Sequence, residues 1–390
     1  MGEIHIRRVC TKMSAFFFLF AAGMSAYVSF VTLWQKSAGY SEMAIGALSS
    51  ASALIAILLQ PALSLAADRA RDKNVVLRIL LAVQAISAFL HRISGPWPYV
   101  LAVMSALTAA QSAALGLSNA VILDELRHDG APDRFGGVRI SYSWGFALAG
   151  LLAGVVASGD PSRVFLLCGM IDLLALAASF LLPDVPGYQH SGTRMGVRQL
   201  LKYREFCILL AYSLVVHITH SLAVAFLPIY FNSLGAPGWV YGIGIFVMAA
   251  AETPFLLCSG KILHRISIRS LLVVPGVAFA LRWFLTAIAT QWWQLLALYA
   301  LHGAGVIVIY LALARYVNDN LPKELSATGQ GVVNAAVISA SRVVGALLGG
   351  VLSTWIGMRA TFQAMGWVTL VAGAGLFLFT KLRREHGNNR

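Results

Sequence analysis

Runs of apolar residues, each about as long as a bilayer is thick and separated by short polar turns, repeat from one end of the sequence to the other. A helix needs roughly 20 apolar residues to cross the hydrocarbon core, and backbone at that depth must satisfy its own hydrogen bonds. Twelve runs meet that requirement: 13–35, 43–66, 74–92, 98–123, 139–158, 163–182, 206–231, 239–260, 268–289, 292–316, 326–354 and 359–380. The third is the weakest, since it ends in His91 and Arg92. The first continues past signal-peptide length with no small-residue cleavage site, which predicts a retained helix. The fold class expected is therefore an all-α polytopic membrane protein with twelve transmembrane helices.

Composition agrees with the pattern. Of 390 residues 58% are hydrophobic and 12% charged, at a mean hydropathy of +0.76, whereas soluble domains carry about 25% charged residues. The net charge of +13 raises the question of nucleic acid, but the positions of the cations answer it. Counted by turn, 23 of the 29 lysines and arginines fall on the side that holds both termini, including Arg7, Arg8, Lys12, Arg127, Arg134, Arg194, Lys261, Arg265, Lys323 and Arg383. The other side has Lys36, Arg92, Arg163 and Arg359, and Arg282 and Arg342 stand inside the membrane. Positive charge collects on the cytoplasmic side of membrane proteins, so the expected location is the cytoplasmic (inner) membrane, multi-pass, with both termini cytoplasmic and no nucleic-acid partner. Cys10, Cys168, Cys207 and Cys258 have no paired spacing, which speaks against a disulfide framework or zinc ribbon. No phosphate loop or dinucleotide fingerprint is present, so no cofactor, no metal and no enzymatic activity are expected. A membrane-embedded enzyme would need catalytic groups clustered at one membrane face, and the sequence has none.

An internal repeat sets the domain organisation. A shift of 196 residues carries Ser37 onto Ser233, Gly39 onto Gly235, Gly46 onto Gly242 and Arg69 onto Arg265; a shift of 195 carries Gly150 onto Gly345 and Gly154 onto Gly349. Each half thus has a turn between its first two helices, a basic turn after the second, and a small-residue stripe suited to close helix packing on its fifth. The boundaries expected are an N-terminal six-helix bundle at 1–187, a connector at 188–204 and a C-terminal bundle at 205–390. Parallel six-helix repeats of this kind occur in two-bundle secondary transporters, which bind substrate between the bundles.

Polar side chains at membrane depth cost a few kcal/mol on insertion scales and so face a cavity or each other. Glu252 in the eighth run is the one carboxylate far from water in the second half, with Pro254 two residues on. Arg282, His302 and Arg342 lie in the ninth, tenth and eleventh runs; Arg139 opens the fifth and Asp124 closes the fourth. A proton-coupled carrier needs a carboxylate whose proton affinity responds to burial and to a nearby cation. Glu252 with Arg282 or Arg342 fits, and a permanent buried ion pair fits equally. His302 suits a relay, substrate binding or a neutral structural hydrogen bond. Asp172, in the sixth run, lacks an obvious partner and ranks below Glu252. Tyr27, Gln111, Asn119, Tyr142, Trp144, His217, His220, Tyr310 and Asn334 are the aromatic and polar groups available to line a pocket. His217 and His220 share a helix face, although no third ligand for a metal is placed by sequence. Trp34, Trp97, Trp239, Trp292 and Trp293 fall at helix ends, where interfacial anchoring accounts for them.

Several stretches resemble the major facilitator superfamily. DRARDK, with Asp68, Arg69 and Lys73, is similar to its gating loop motif, with Ser64 where the opening glycine is usual. FGGVRISYSWGFALAG from Phe135 resembles the opening of helix five in the lactose-permease and phenylpropionate-permease branch. AETPFLLCSGKILHR, ALRW, and LHG followed by ARY extend the likeness in order along nearly the whole chain. The resemblance implies two pseudo-symmetric six-helix bundles, alternating access and proton-coupled uptake of a small organic solute by a monomer whose partners are that solute, protons and the bilayer. It implies substrate binding for Arg139; Tyr27, Asn119, Trp144, His220 and Asn334, chosen by residue type, are further pocket candidates. It implies a coupling role for Glu252, Arg282 and His302; Asp124, which matches a sugar-binding acid of helix four only if a loop of about three residues is missing, is a secondary candidate, as are Arg342 and Tyr310 by residue type. Sugar-transporting members carry a glutamate one turn after the helix-ten histidine, where this chain has Gly305; that departure points away from a disaccharide and toward an aromatic acid, nucleoside or other small solute. A proton-driven efflux carrier of the same fold is the nearest alternative, and a non-transporting membrane sensor a more distant one.

Overall fold

Among the described residues each of the twelve predicted runs is mainly helical. The computed structural model describes residues 2–93, 95–183, 197–257 and 266–388. Its α-helices are α1 Gly2–Ser37, α2 Glu42–Arg69, α3 Lys73–Leu90, α4 Trp97–His128, α5 Phe135–Ala157, α6 Arg163–Ser179, α7 Arg204–Ser233, α8 Gly238–Leu257, α9 Ile268–Ile288, α10 Trp292–Ala297, α11 Val306–Asn320, α12 Lys323–Val333 and α13 Ser341–Asn388. Short 3-10 segments cover Pro132–Arg134, Val197–Lys202 and Leu298–Ala304, and a π segment covers Asn334–Ala340. Among the described residues nine helices are long and apolar enough to cross a membrane. Most of the connector 188–204, together with Arg194, Cys258, Lys261 and Arg265, lies outside the described residues.

Local chemistry explains where the helices start and stop. Asp72, in the basic turn after α2, caps α3 by accepting from the Asn74 amide at 2.9 Å, which supplies one of the four orphan amides of a helix start. Ser267 caps α9 in the same way through Ser270. The fourth run does not end at Asp124, because α4 continues to His128 with Arg127 and His128 in its last turn, where cations complement the helix dipole. The tenth run is interrupted by Leu298–Ala304 and by Gly305 at φ −102°, ψ −95°. The eleventh and twelfth are joined in α13 across Gly357 at φ 79°, a conformation that needs glycine.

Packing divides the chain into two units. The first comprises Met1–Tyr40, Ala51–Ser191 and Pro237–Phe246; the second comprises Ser41–Ser50, Gly192–Ala236 and Val247–Arg390. The short exchanged segments 41–50 and 237–246 are themselves related by the 196-residue shift. In the first unit Phe16, Phe17 and Phe20 of α1 pack with Leu77 and Leu81 of α3, Val121, Ile122 and Leu126 of α4 and Ala175 of α6. With lipid as apolar as leucine, close van der Waals packing rather than the hydrophobic effect holds such helices together.

The repeat is visible atom by atom. Ser37 Oγ donates to the Trp34 carbonyl at 2.8 Å and Ser233 Oγ to the Tyr230 carbonyl at 2.8 Å. Gly39 N donates to Lys36 O and Tyr40 N to Gln35 O; Gly235 N donates to Asn232 O and Ala236 N to Phe231 O. Both glycines have positive φ, 89° and 76°, so one αL helix stop is built twice. The small-residue stripes also repeat. In the first unit a Cβ on Gly154 would lie 2.8 Å from the Gly238 carbonyl and 2.9 Å from Gly242 Cα; in the second, a Cβ on Gly350 would lie 2.8 Å from the Glu42 carbonyl and 2.9 Å from Gly46 Cα. These contacts pair Gly154 with Gly350, so 196 residues is the spacing for this helix as well, one more than the glycine pattern suggests.

Candidate functional site

Four of the sequence-predicted polar residues converge inside the second unit. Glu252 comes from α8, Arg282 from α9, His302 from the 3-10 segment between α10 and α11, and His220 from α7. The His302 Nε2 is 3.2 Å from Glu252 Oε1, and its Nδ1 is 3.0 Å from Arg282 Nη1. A guanidinium has donors and no acceptor, so His302 Nδ1 must be the bare nitrogen and Nε2 carries the hydrogen that Glu252 accepts. His302 is thereby held as one neutral tautomer, bridging a cation and a carboxylate. A second proton on the imidazole would occupy Nδ1 and break the hydrogen bond from Arg282.

Burial is graded along the bridge. Arg282 and His302 are each 2% exposed, whereas the Glu252 side chain retains 25%. The Arg282 guanidinium lies over the Tyr299 ring at 4.7 Å and the Trp283 ring at 5.0 Å, cation–π contacts that supply part of what hydration would have given. Trp283 in turn donates to Thr219 Oγ1 at 3.1 Å. The His220 ring stacks on Phe279 with centroids 5.7 Å apart and lies 5.0 Å from the His302 ring, and its Nδ1 is buried without a partner. The His217 ring centroid lies 6.2 Å from that of His220, but its Nδ1 donates locally to the Ser213 carbonyl, 3.2 Å away. Among the described residues no group of three metal-ligating side chains forms.

Two glycines make this geometry possible. At Gly303 a Cβ would overlap the carbonyl of Ala251, so only glycine lets the His302 segment approach α8 beside Glu252. At Gly305 a Cβ would run into the Phe279 ring, so the space a side chain would take there is filled by an aromatic ring. Pro254 lacks the amide that would bond the Ala250 carbonyl, which loosens α8 immediately around Glu252.

The remaining candidates are distributed differently. In the first unit the Arg139 guanidinium lies 4.2 Å from the Tyr142 ring and 5.6 Å from that of Phe17, and Tyr142 donates toward Met24 Sδ at 3.1 Å. Tyr27 is buried among rings, its hydroxyl 3.4 Å from His91 Nε2. Asn119 donates to its own helix at Leu115 O, 2.9 Å. Trp144 is exposed and tilted against Phe246 at 6.2 Å. Asp124 is paired with Lys73 at 2.8 Å, tying the end of α4 to the start of α3. Arg69 is exposed, and the Asp68 side chain lies outside those described. In the second unit Tyr310 and Arg342 are exposed, as is Asn334 at the start of the π segment; π segments are frequent at functional positions. The Lys73–Asp124 pair was not anticipated from sequence, since the two residues are 51 apart and no motif links Lys73 of the gating turn to Asp124.

The MFS_1 like family matches residues 10–364. The chain belongs to that family. It is 25% identical to a maltose permease of Geobacillus stearothermophilus over 385 residues, covering 97% of each chain. It is also 25% identical to a raffinose permease of Escherichia coli over 383 residues, covering 91% of this chain and 88% of that one. Among solved structures it superposes on the nucleoside transporter NupG with a TM-score of 0.81 at 17% identity, covering 96% and 99% of the two chains. It superposes on the peptide transporter POT with a TM-score of 0.76 at 13% identity, covering 96% and 94%. Family membership makes this a multi-pass membrane transporter of small solutes, in the major facilitator superfamily, and not an enzyme.

Proposed function

We propose that this family member is a proton-coupled symporter that takes up a small organic solute by alternating access, acting as a monomer in the cytoplasmic membrane with both termini cytoplasmic. The observation that carries the reading is the bridge Arg282–His302–Glu252. It joins a partly exposed carboxylate to a buried cation through a neutral imidazole, so a proton arriving at Glu252 changes the electrostatic state of the whole cluster. Arg139, with the Tyr142 and Phe17 rings beside it, supplies a cation and aromatic faces for a hydroxyl-rich or anionic solute. His220, Asn334, Tyr27, Asn119 and Trp144 are further contacts for it, and Arg342, Tyr310 and Asp124 secondary ones. Lys73, held by Asp124, anchors the gating turn that Asp68 and Arg69 share. The distribution of lysine and arginine supports the orientation.

The names of the relatives put maltose and raffinose beside nucleosides and aromatic acids as the first solutes to test, even though Gly305 replaces the usual glutamate. The test is the pH of a lightly buffered suspension of de-energised cells that contain the protein. Alkalinisation on adding one of these solutes supports symport; acidification of the medium would favour the efflux reading; no movement with any of the four classes would count against proton coupling.

A further inference from the structure

We infer that Asp172 is a proton-binding site of the first unit, distinct from the Glu252 cluster, and that it is held as the neutral acid for as long as α6 packs on α1. The residue sits mid-way along α6 and is completely buried. Its Oδ1 has no hydrogen-bond partner, and its Oδ2 is 3.5 Å from Cys168 Sγ. The same thiol is 3.4 Å from the Gly23 carbonyl, so its one hydrogen is divided between two acceptors. A Cβ on Gly23 would overlap Asp172 Oδ1. The carboxyl is therefore seated directly on the α1 backbone in a recess that only glycine leaves open.

Among the described residues, the titratable groups around it are engaged elsewhere. From α1 the nearest titratable group is Tyr27, one turn from Gly23, and its hydroxyl is engaged with His91 Nε2 at 3.4 Å. From α3, His91 is tied through Nδ1 to the Ser87 carbonyl at 2.9 Å and enclosed by Phe165 and Trp34. From α5, Arg139 and Tyr142 are turned to each other and to Phe17. From α6 itself there is Cys168, a weak donor, while Arg163 lies near the helix start beside Asp160. An ionised carboxylate with no cation and no strong donor at membrane depth is strongly disfavoured, whereas a carboxylic acid there is tolerated. Ionisation then requires water or a donor at Oδ1, and Oδ1 is covered by α1. Losing the proton and separating α6 from α1 are one event, so acid favours the packed form and alkali the separated one.

Purified protein in detergent tests this without any solute, so its failure is distinguishable from failure of the symport reading. The wild type should show the infrared carbonyl band of a protonated carboxyl at about pH 6, where an aspartate in water is ionised. Asp172→Asn should remove that band and Glu252→Gln should leave it; Cys168→Ser, which substitutes a stronger donor at Oδ2, should shift it. The thermal midpoint of the wild type should also fall relative to that of Asp172→Asn between about pH 4 and pH 8, because the unfolded chain releases this proton near pH 3.9 while the packed form retains it, and asparagine has none to release. Absence of the band from the wild type, its survival in Asp172→Asn, or a gap between the two midpoints that stays constant with pH would each overturn the assignment. Should Asp172→Asn fail to fold, the wild-type spectrum and the Cys168→Ser shift decide alone, and a band unmoved by that substitution would overturn it.

Discussion

The Arg282 guanidinium lies 3.0 Å from His302 Nδ1, and that contact determines which nitrogen of the histidine faces Glu252. Replacing Arg282 by Gln removes the cation, and an amide can either donate to Nδ1 or accept from it. The tautomer is then no longer fixed. A hydrogen bond to a charged group contributes about 1.5–3 kcal/mol, so solute accumulation should fall roughly 10- to 100-fold in Arg282→Gln. Steady-state uptake of labelled solute measures it, and wild-type accumulation would mean that Arg282 does not set the state of His302.

Gly303 lies against the Ala251 carbonyl. The substitution Gly303→Ala must push the 3-10 segment away from α8 and carry His302 off Glu252. Overpacking of this kind costs about 1–3 kcal/mol, so the protein should still fold with a lowered thermal midpoint. Accumulation should drop as far as in Glu252→Gln. A variant with a lowered midpoint and full accumulation would separate the packing from the coupling.

Phe279 occupies the space beside Gly305, which blocks a glutamate at that position. Gly305→Glu alone should destabilise the chain, and adding Phe279→Ala should recover part of the loss, because the two substitutions share one volume. Thermal unfolding of the two single variants and the double variant gives the coupling. Strict additivity would show that the ring is not the obstacle.

The matched helix stops at Gly39 and Gly235 should respond alike. A side chain in the left-handed region costs about 1–2 kcal/mol, so Gly39→Ala and Gly235→Ala should each lower the thermal midpoint by a similar amount. A large effect at one and none at the other would mean that the two turns, although built the same way, are not equally needed.

Much of this architecture was legible because it follows from local rules. The spans show as apolar length, the turns at Ser37–Gly39 and Ser233–Gly235 as repeated capping chemistry, and Glu252, Arg282 and His302 as charges that lipid would penalise. Other features depend on distances in space that no spacing encodes. Lys73 and Asp124 pair across two helices, and 41–50 and 237–246 exchange between units. The 3-10 course around His302 shows in sequence only as Gly303 and Gly305, two more small residues in a chain with 35 glycines. Asp172 was visible as a carboxylate in an apolar run, but its seat on Gly23 depends on how α6 meets α1. The side chains facing a solute were the least legible, because helix rotation decides which of Tyr27, Asn119 and Trp144 is covered and which is exposed.

The most direct test of proton coupling compares two modes of transport in Glu252→Gln. Exchange of labelled for unlabelled solute across the membrane needs solute binding and the conformational change but no net proton movement, whereas accumulation against a gradient needs the proton. The account predicts that exchange survives within a few-fold of the wild type while accumulation is abolished. Equal loss of both would contradict it and make the Arg282–His302–Glu252 bridge a structural clamp.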